Sequence, residues 1–161
     1  MILQMGPVED YLTRLGIGFE CHEHPPVATV AEATRYWGGI EALHAKNLFL
    51  RNPKGSRHFL VVLGFTRRAD LAALAAHFGE KKLGFASPER LKAHLGLTPG
   101  SVSPFGLIND PGHRVEVAMD AAIREAARVA FHPNVNTATL VLGAEGFRRY
   151  LAAVGHTVHW I

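Results

Sequence analysis

With 161 residues, 48% of them hydrophobic and 19% charged, the chain has the size and balance of one folded domain over residues 1–161, and it lacks the low-complexity tracts of a disordered arm. Lys and Arg exceed Asp and Glu by 17 − 14 = 3, a bias mild enough to accommodate a polyanionic partner without requiring one. No apolar run approaches the ~20 residues of a membrane span, so a membrane-embedded role is excluded.

The opening Met1-Ile2-Leu3-Gln4-Met5-Gly6-Pro7 has neither the basic start nor the apolar core of a signal peptide, and the single cysteine, Cys21, excludes an internal disulfide. Both observations fit a cytoplasmic protein. Val8, Tyr11, Leu12 and Leu15 recur at helical spacing, predicting a helix over Pro7–Leu15 that Gly16 ends. Phe19–His24 alternates as a strand and Pro25-Pro26 stops it. Thr29 with Glu32 three residues on forms a capping-box pattern for a short helix carrying Val30, Ala33 and Trp37. Ala45–Arg51 and His58–Leu63 read as a hairpin about Asn52-Pro53-Lys54-Gly55.

Leu71, Leu74, Ala75 and Phe78 predict a second clear helix, ended by Gly79. Lys82–Ala86 is a short strand, and Ser87-Pro88-Glu89 opens a helix with Leu91 and Leu95 inward. Further strands are expected at Gly106–Asn109, Arg114–Met119, Val129–His132, Thr137–Leu142 and Thr157–Trp160. Helices are expected at Ala121–Ala127 and Ala144–Val154. Short strands broken up by helices and a hairpin predict an α+β mixed sheet, not a strict βαβ series.

Three segments set polar groups beside apolar strands. In Thr98-Pro99-Gly100-Ser101-Val102-Ser103-Pro104-Phe105, proline fixes φ and glycine tolerates φ > 0, so the loop can hold N–H groups and hydroxyls toward a ligand. Strand alternation puts Lys46 on the face of Leu48 and Leu50, with Asn47 and Phe49 pointing the other way. A snorkelling strand-end lysine is the plain alternative. His132, Asn134, Asn136 and Thr137 share a polar turn with Pro133, which turn geometry alone would also explain. Ser101 and Ser103 lack the surroundings of a covalent nucleophile, since no G-x-S-x-G elbow exists. His22 and His24 alternate on one strand face, but no third ligand completes a zinc set, so neither a metal nor a cofactor is expected. Cys21 is expected as a buried strand thiol.

The strings Glu23-His24-Pro25-Pro26-Val27, Lys46-Asn47-Leu48-Phe49-Leu50, Gly100-Ser101-Val102-Ser103-Pro104-Phe105-Gly106 and Phe131-His132-Pro133-Asn134, in this order, resemble the YbaK-type aminoacyl-tRNA deacylases. Within them the chain is most similar to the free-standing prolyl-tRNA-synthetase-associated proteins, the PrdX or ProXp-ala group. The likeness runs from about Val8 to the C-terminus. It implies a strongly curved, barrel-like mixed sheet with helices packed around it. It also implies a site in which Lys46, Gly100, Ser101 and His132 serve the chemistry. Val27, Thr29, Asn47, Phe49, Val102, Ser103, Pro104, Asn134, Asn136 and Thr137 would then contact substrate.

The resemblance makes the expected reaction hydrolysis of a mischarged aminoacyl ester, alanine on tRNA for proline first. A synthetase pocket built for proline cannot strongly reject a smaller amino acid, because lost methylene-sized contacts are worth only ~1–3 kcal/mol. Val27, Phe49 and Val102 are the expected walls of a second, narrower sieve. The partners implied are aminoacyl-tRNA and prolyl-tRNA synthetase, with neither membrane nor DNA. Two alternatives stay open at this point: the same enzyme acting on a cysteinyl or seryl ester, and a non-catalytic module that binds tRNA or a synthetase. No residue stands out as the general base.

Overall fold

The computed structural model describes residues 6–26 and 39–161. The expected helix capped by Thr29, and with it Val27, lies outside the described residues. Helix α1 (Pro7–Arg14) starts on a proline at its first position and buries Val8 and Leu12. It leads into β1 (Glu20–Glu23), and the hairpin follows as β2 (Leu43–Arg51) and β3 (His58–Gly64), paired antiparallel from Ala45↔Gly64 to Arg51↔His58. Next come α2 (Leu71–His77), the two-residue β4 (Gly84–Phe85) and α3 (Pro88–Leu95). Ser87 caps α3 by accepting from the Arg90 N–H, and Gly96 ends it in the left-handed region at φ 68°. The remaining elements are β5 (Val115–Met119), α4 (Ala121–Glu125), β6 (Arg128–Phe131), β7 (Ala138–Gly143), α5 (Ala144–Val154) and β8 (Val158–Trp160).

Eight strands form one mixed sheet in the order β1-β7-β6-β2-β3-β5-β8, with β4 added on the far end of β2. The β2–β6, β3–β5 and β5–β8 pairs are parallel; the others are antiparallel. Alternate residues of five strands, Phe49, Leu60, Val117, Phe131 and Leu140 among them, converge on a single apolar cluster. Strands that all turn one face to the same cluster must curl around it, so the sheet is strongly curved, though not closed. Its other face carries a second cluster, in which Leu50, Phe59, Val61 and Leu63 pack on Leu74, Ala75 and Phe78.

Two expectations need correction. Gly106–Asn109 is no strand: Pro104–Asn109 forms a 3₁₀ helix, with Ser103 Oγ accepting the Phe105 N–H at its start. Packing enforces this, because a Cβ at Gly106 would come within 2.7 Å of Leu97 Cδ1. Cys21 is exposed, because β1 is a terminal strand of the sheet.

Candidate functional site

The polar turn after β6 is the centre of the site. Asn134 adopts φ 63°, a left-handed conformation that asparagine tolerates better than most residues, and so reverses the chain. The carbonyl of Ala138 can only accept, so the His132 ring nitrogen 2.8 Å from it, Nδ1, carries the proton and Nε2 is left as an acceptor. Burial lowers the His132 pKa, with the Ala138 carbonyl opposing and His24 adding to the shift, so the ring is neutral at pH 7. The His24 ring meets it edge-on at 5.9 Å and is itself placed by Thr139, whose Oγ1 lies 2.9 Å from His24 Nε2.

Lys46 lies on β2, the strand that pairs with β6 ahead of that turn. Strands β2 and β6 pair with Leu43↔Val129 and His44↔Ala130. Lys46 shares its sheet face with His44, two residues before it, and His132 lies one residue past the end of β6. Lys46 is half-buried and has no carboxylate partner among the described residues. It shares the face of Leu48 and Leu50, as alternation predicts, while Asn47 and Phe49 turn to the face on which the Gly100 loop packs.

That loop is held from inside by its own hydroxyls. Ser101 Oγ donates to the Thr98 carbonyl at 3.2 Å and accepts the Thr98 N–H, while Ser103 Oγ is spent on the Phe105 N–H. Both serines are buried, which corrects the expectation of hydroxyls presented to a ligand. The buried Pro104 offers its carbonyl to Tyr150, whose hydroxyl donates at 2.7 Å. On the outer side of the loop Gly100 is exposed and Val102 half-buried, so backbone is what meets solvent there.

Loop and turn touch each other. Asn136 Nδ2 lies 3.3 Å from where a Cβ on Gly100 would sit, and Asn134 Nδ2 donates to the Phe105 carbonyl at 3.4 Å. The side-chain oxygens of Asn47 and Asn134 are buried with no hydrogen-bond partner among the described residues. Val102 is half-buried against the main core, and Thr137 is exposed, its carbonyl taking the His24 N–H. Phe49 is the outlier. It is 5% exposed and stacked 5.7 Å from His58, a core residue and not an open pocket wall.

No group of three or more His, Cys, Asp or Glu able to hold a metal occurs among the described residues, and His22 bonds Glu20 instead. Two features escaped the sequence reading. The meeting of His24 with His132 depends on the β1–β7 register, which no local pattern encodes. Phe85, 64% exposed, stands beside Arg51 and Lys82 on a cleft of about 330 Å³; an aromatic flanked by basic residues in a short strand was its one visible signal.

The aminoacyl-tRNA editing domain family matches residues 24–150, and the chain belongs to that family. It is 43% identical over 148 residues to the prolyl-tRNA editing protein ProX of Acetoanaerobium sticklandii, covering 91% of this chain and 89% of that protein. It is 33% identical over 153 residues to prolyl-tRNA synthetase associated domain-containing protein 1 of Bos taurus, covering 92% and 89%. Among solved structures, hypothetical protein APE2540 superposes with a TM-score of 0.72 at 21% identity over 94% of this chain and 96% of that one. A candidate trans-editing enzyme for prolyl-tRNA synthetase gives 0.71 at 23% identity, with 96% of each chain covered. These last two likenesses speak to the fold.

Proposed function

We propose that the protein is a trans-editing deacylase that hydrolyses the aminoacyl ester of tRNA mischarged by prolyl-tRNA synthetase, with alanyl-tRNA for proline as substrate. What supports this is a β2 lysine with no carboxylate partner among the described residues, a neutral histidine at the end of β6, and the Gly100 loop in contact with the turn that follows it. Ester hydrolysis needs carbonyl polarisation, a proton acceptor and a held substrate, and each has a group here.

Backbone N–H groups at the exposed Gly100 and the half-buried Val102 suit a developing oxyanion; such donors are worth ~2.7–4 kcal/mol each where they have been removed. Lys46, an ammonium with no carboxylate partner among the described residues, draws the ester or the terminal phosphate. Nε2 of His132 accepts the proton from water or from the neighbouring ribose hydroxyl. The unmet oxygens of Asn47 and Asn134 are acceptors for the substrate's α-ammonium group. Asn136 and Thr137 line the turn, Ser101, Ser103 and Pro104 set the loop's shape, and Val27, Thr29 and Val102 complete the sieve. Phe85 with Arg51 and Lys82 offers a base-stacking and phosphate surface for the tRNA. The setting is the cytoplasm, with prolyl-tRNA synthetase as partner.

The test compares deacylation of alanyl, cysteinyl, seryl and prolyl esters on the same tRNA. Alanyl ester should be cleaved fastest and prolyl ester spared. Equal, slow loss of all four would refute catalysis, and a faster cysteinyl or seryl reaction would reassign the substrate.

A further inference from the structure

A second cavity, of about 480 Å³, lies between α5 and β8 and shares no lining residue with the site above. Helix α5 turns one stripe toward it, in which Phe147 and Leu151 supply apolar wall and the small Ala144 and Ala152 leave the space. Trp160 on β8 forms the opposite wall, with the Arg124 guanidinium carbon 5.5 Å from its ring centroid. Among the described residues Arg124 pairs with no carboxylate. Arg148, also lining the cavity, pairs only with Glu145 three residues earlier, and both side chains are exposed, so water screens that pair and a competing anion can replace it.

His156 lines the same cavity and is buried. Its Nε2 lies 2.8 Å from Asp110 Oδ2, and that carboxylate also accepts the N–H groups of Arg114 and Val115. An ionised carboxylate only accepts, so the proton sits on Nε2. His113, its ring 4.4 Å from that of His156 and its Nε2 donating to the Val154 carbonyl, holds the imidazole in place. Nδ1 of His156 is buried and meets no partner among the described residues. Buried polar atoms are rarely left unmet, and a ligand's hydrogen-bonding group is one way to meet this one.

We propose that this cavity binds a small aromatic anion carrying a hydrogen-bond donor, its ring between Trp160 and Phe147, its acid group on Arg124 and Arg148, and its donor toward His156. The volume falls in the range of small-molecule sites, ~300–1,000 Å³. Indole-3-acetate has this chemistry, and indole-3-acetamide keeps the shape without the charge. By isothermal titration calorimetry of the full chain, indole-3-acetate should saturate one site with a Kd below about 1 mM. The amide should bind at least about ten-fold more weakly, and Arg124→Ala should cost the acid a similar factor. Both arginines are exposed, so Arg124→Ala and Arg148→Ala leave the core intact even if His156→Gln does not fold. No saturable heat up to about 5 mM, or equal affinity for acid and amide, or unchanged binding in the double arginine variant, would overturn the proposal.

Discussion

The two ends of strand β2 treat their polar residues in opposite ways. At the Arg51 end, Asn52 is saturated: its Nδ2 donates to Ser56 and Glu80, and its Oδ1 accepts the N–H groups of Ser56 and Arg57. Arg57 in turn reaches Glu116, Glu80 and the Phe78 carbonyl. At the Lys46 end the cation has no carboxylate among the described residues and the Asn47 oxygen is buried unmet. Stability is served where every donor finds its acceptor. A site is marked where the fold holds polar groups in place and leaves them unmatched.

The contrast is broken most severely if Lys46→Ala proves harmless. It should lower alanyl-tRNA deacylation by about 10²–10³-fold, the scale of losing one transition-state contact, while the thermal midpoint stays put. Asn52→Ala should do the reverse, costing about 2–4 kcal/mol in urea denaturation by stranding two backbone N–H groups, with the folded fraction still active. The same end carries a pH effect through His58, which burial, then His94, Arg90 and Arg51, push down to about 4 from an ordinary 6.5. Between those values the unfolded chain binds the extra proton. Stability should therefore fall as pH drops through that window, by on the order of 2 kcal/mol, and His58→Gln should flatten the fall.

At the site end, the lowered pKa of His132 sharpens the comparison. The deacylation rate should hold as pH falls through 6.5 and drop only in more acidic solution; a decline centred on or above 6.5 would remove the neutral ring from the mechanism. Val102→Ala should give the smallest change. It should raise the rate on larger aminoacyl esters relative to alanyl ester by roughly 10-fold, the worth of about one methylene-scale contact, and an unchanged ratio would place the sieve elsewhere.

Local chemistry made most of the elements legible. Pro88 after Ser87, Gly96 after Leu95 and the apolar stripe of Ala144–Val154 each imply a helix boundary or face with a known cause, and α3 and α5 follow them. The Gly106–Asn109 segment misled because its apolar run reads equally as strand or turn. Contact with Leu95 and Leu97 decides it, and nothing within the segment encodes that contact. For the site, the residue types at Lys46, His132 and the Gly100 loop were legible as strings. The inward turn of the Ser101 and Ser103 hydroxyls, the burial of Phe49 and the company of His24 were not, because each depends on partners far along the chain.

Among the described residues the strand order ends in β1 and β8, only four and three residues long. Unpaired margins invite neighbouring molecules to extend the ladder, and long flat ones seed aggregates. These are brief, and the acidic Glu20 at the start of β1 is tied to Arg128 of β6, so either margin offers a second copy only a few hydrogen bonds.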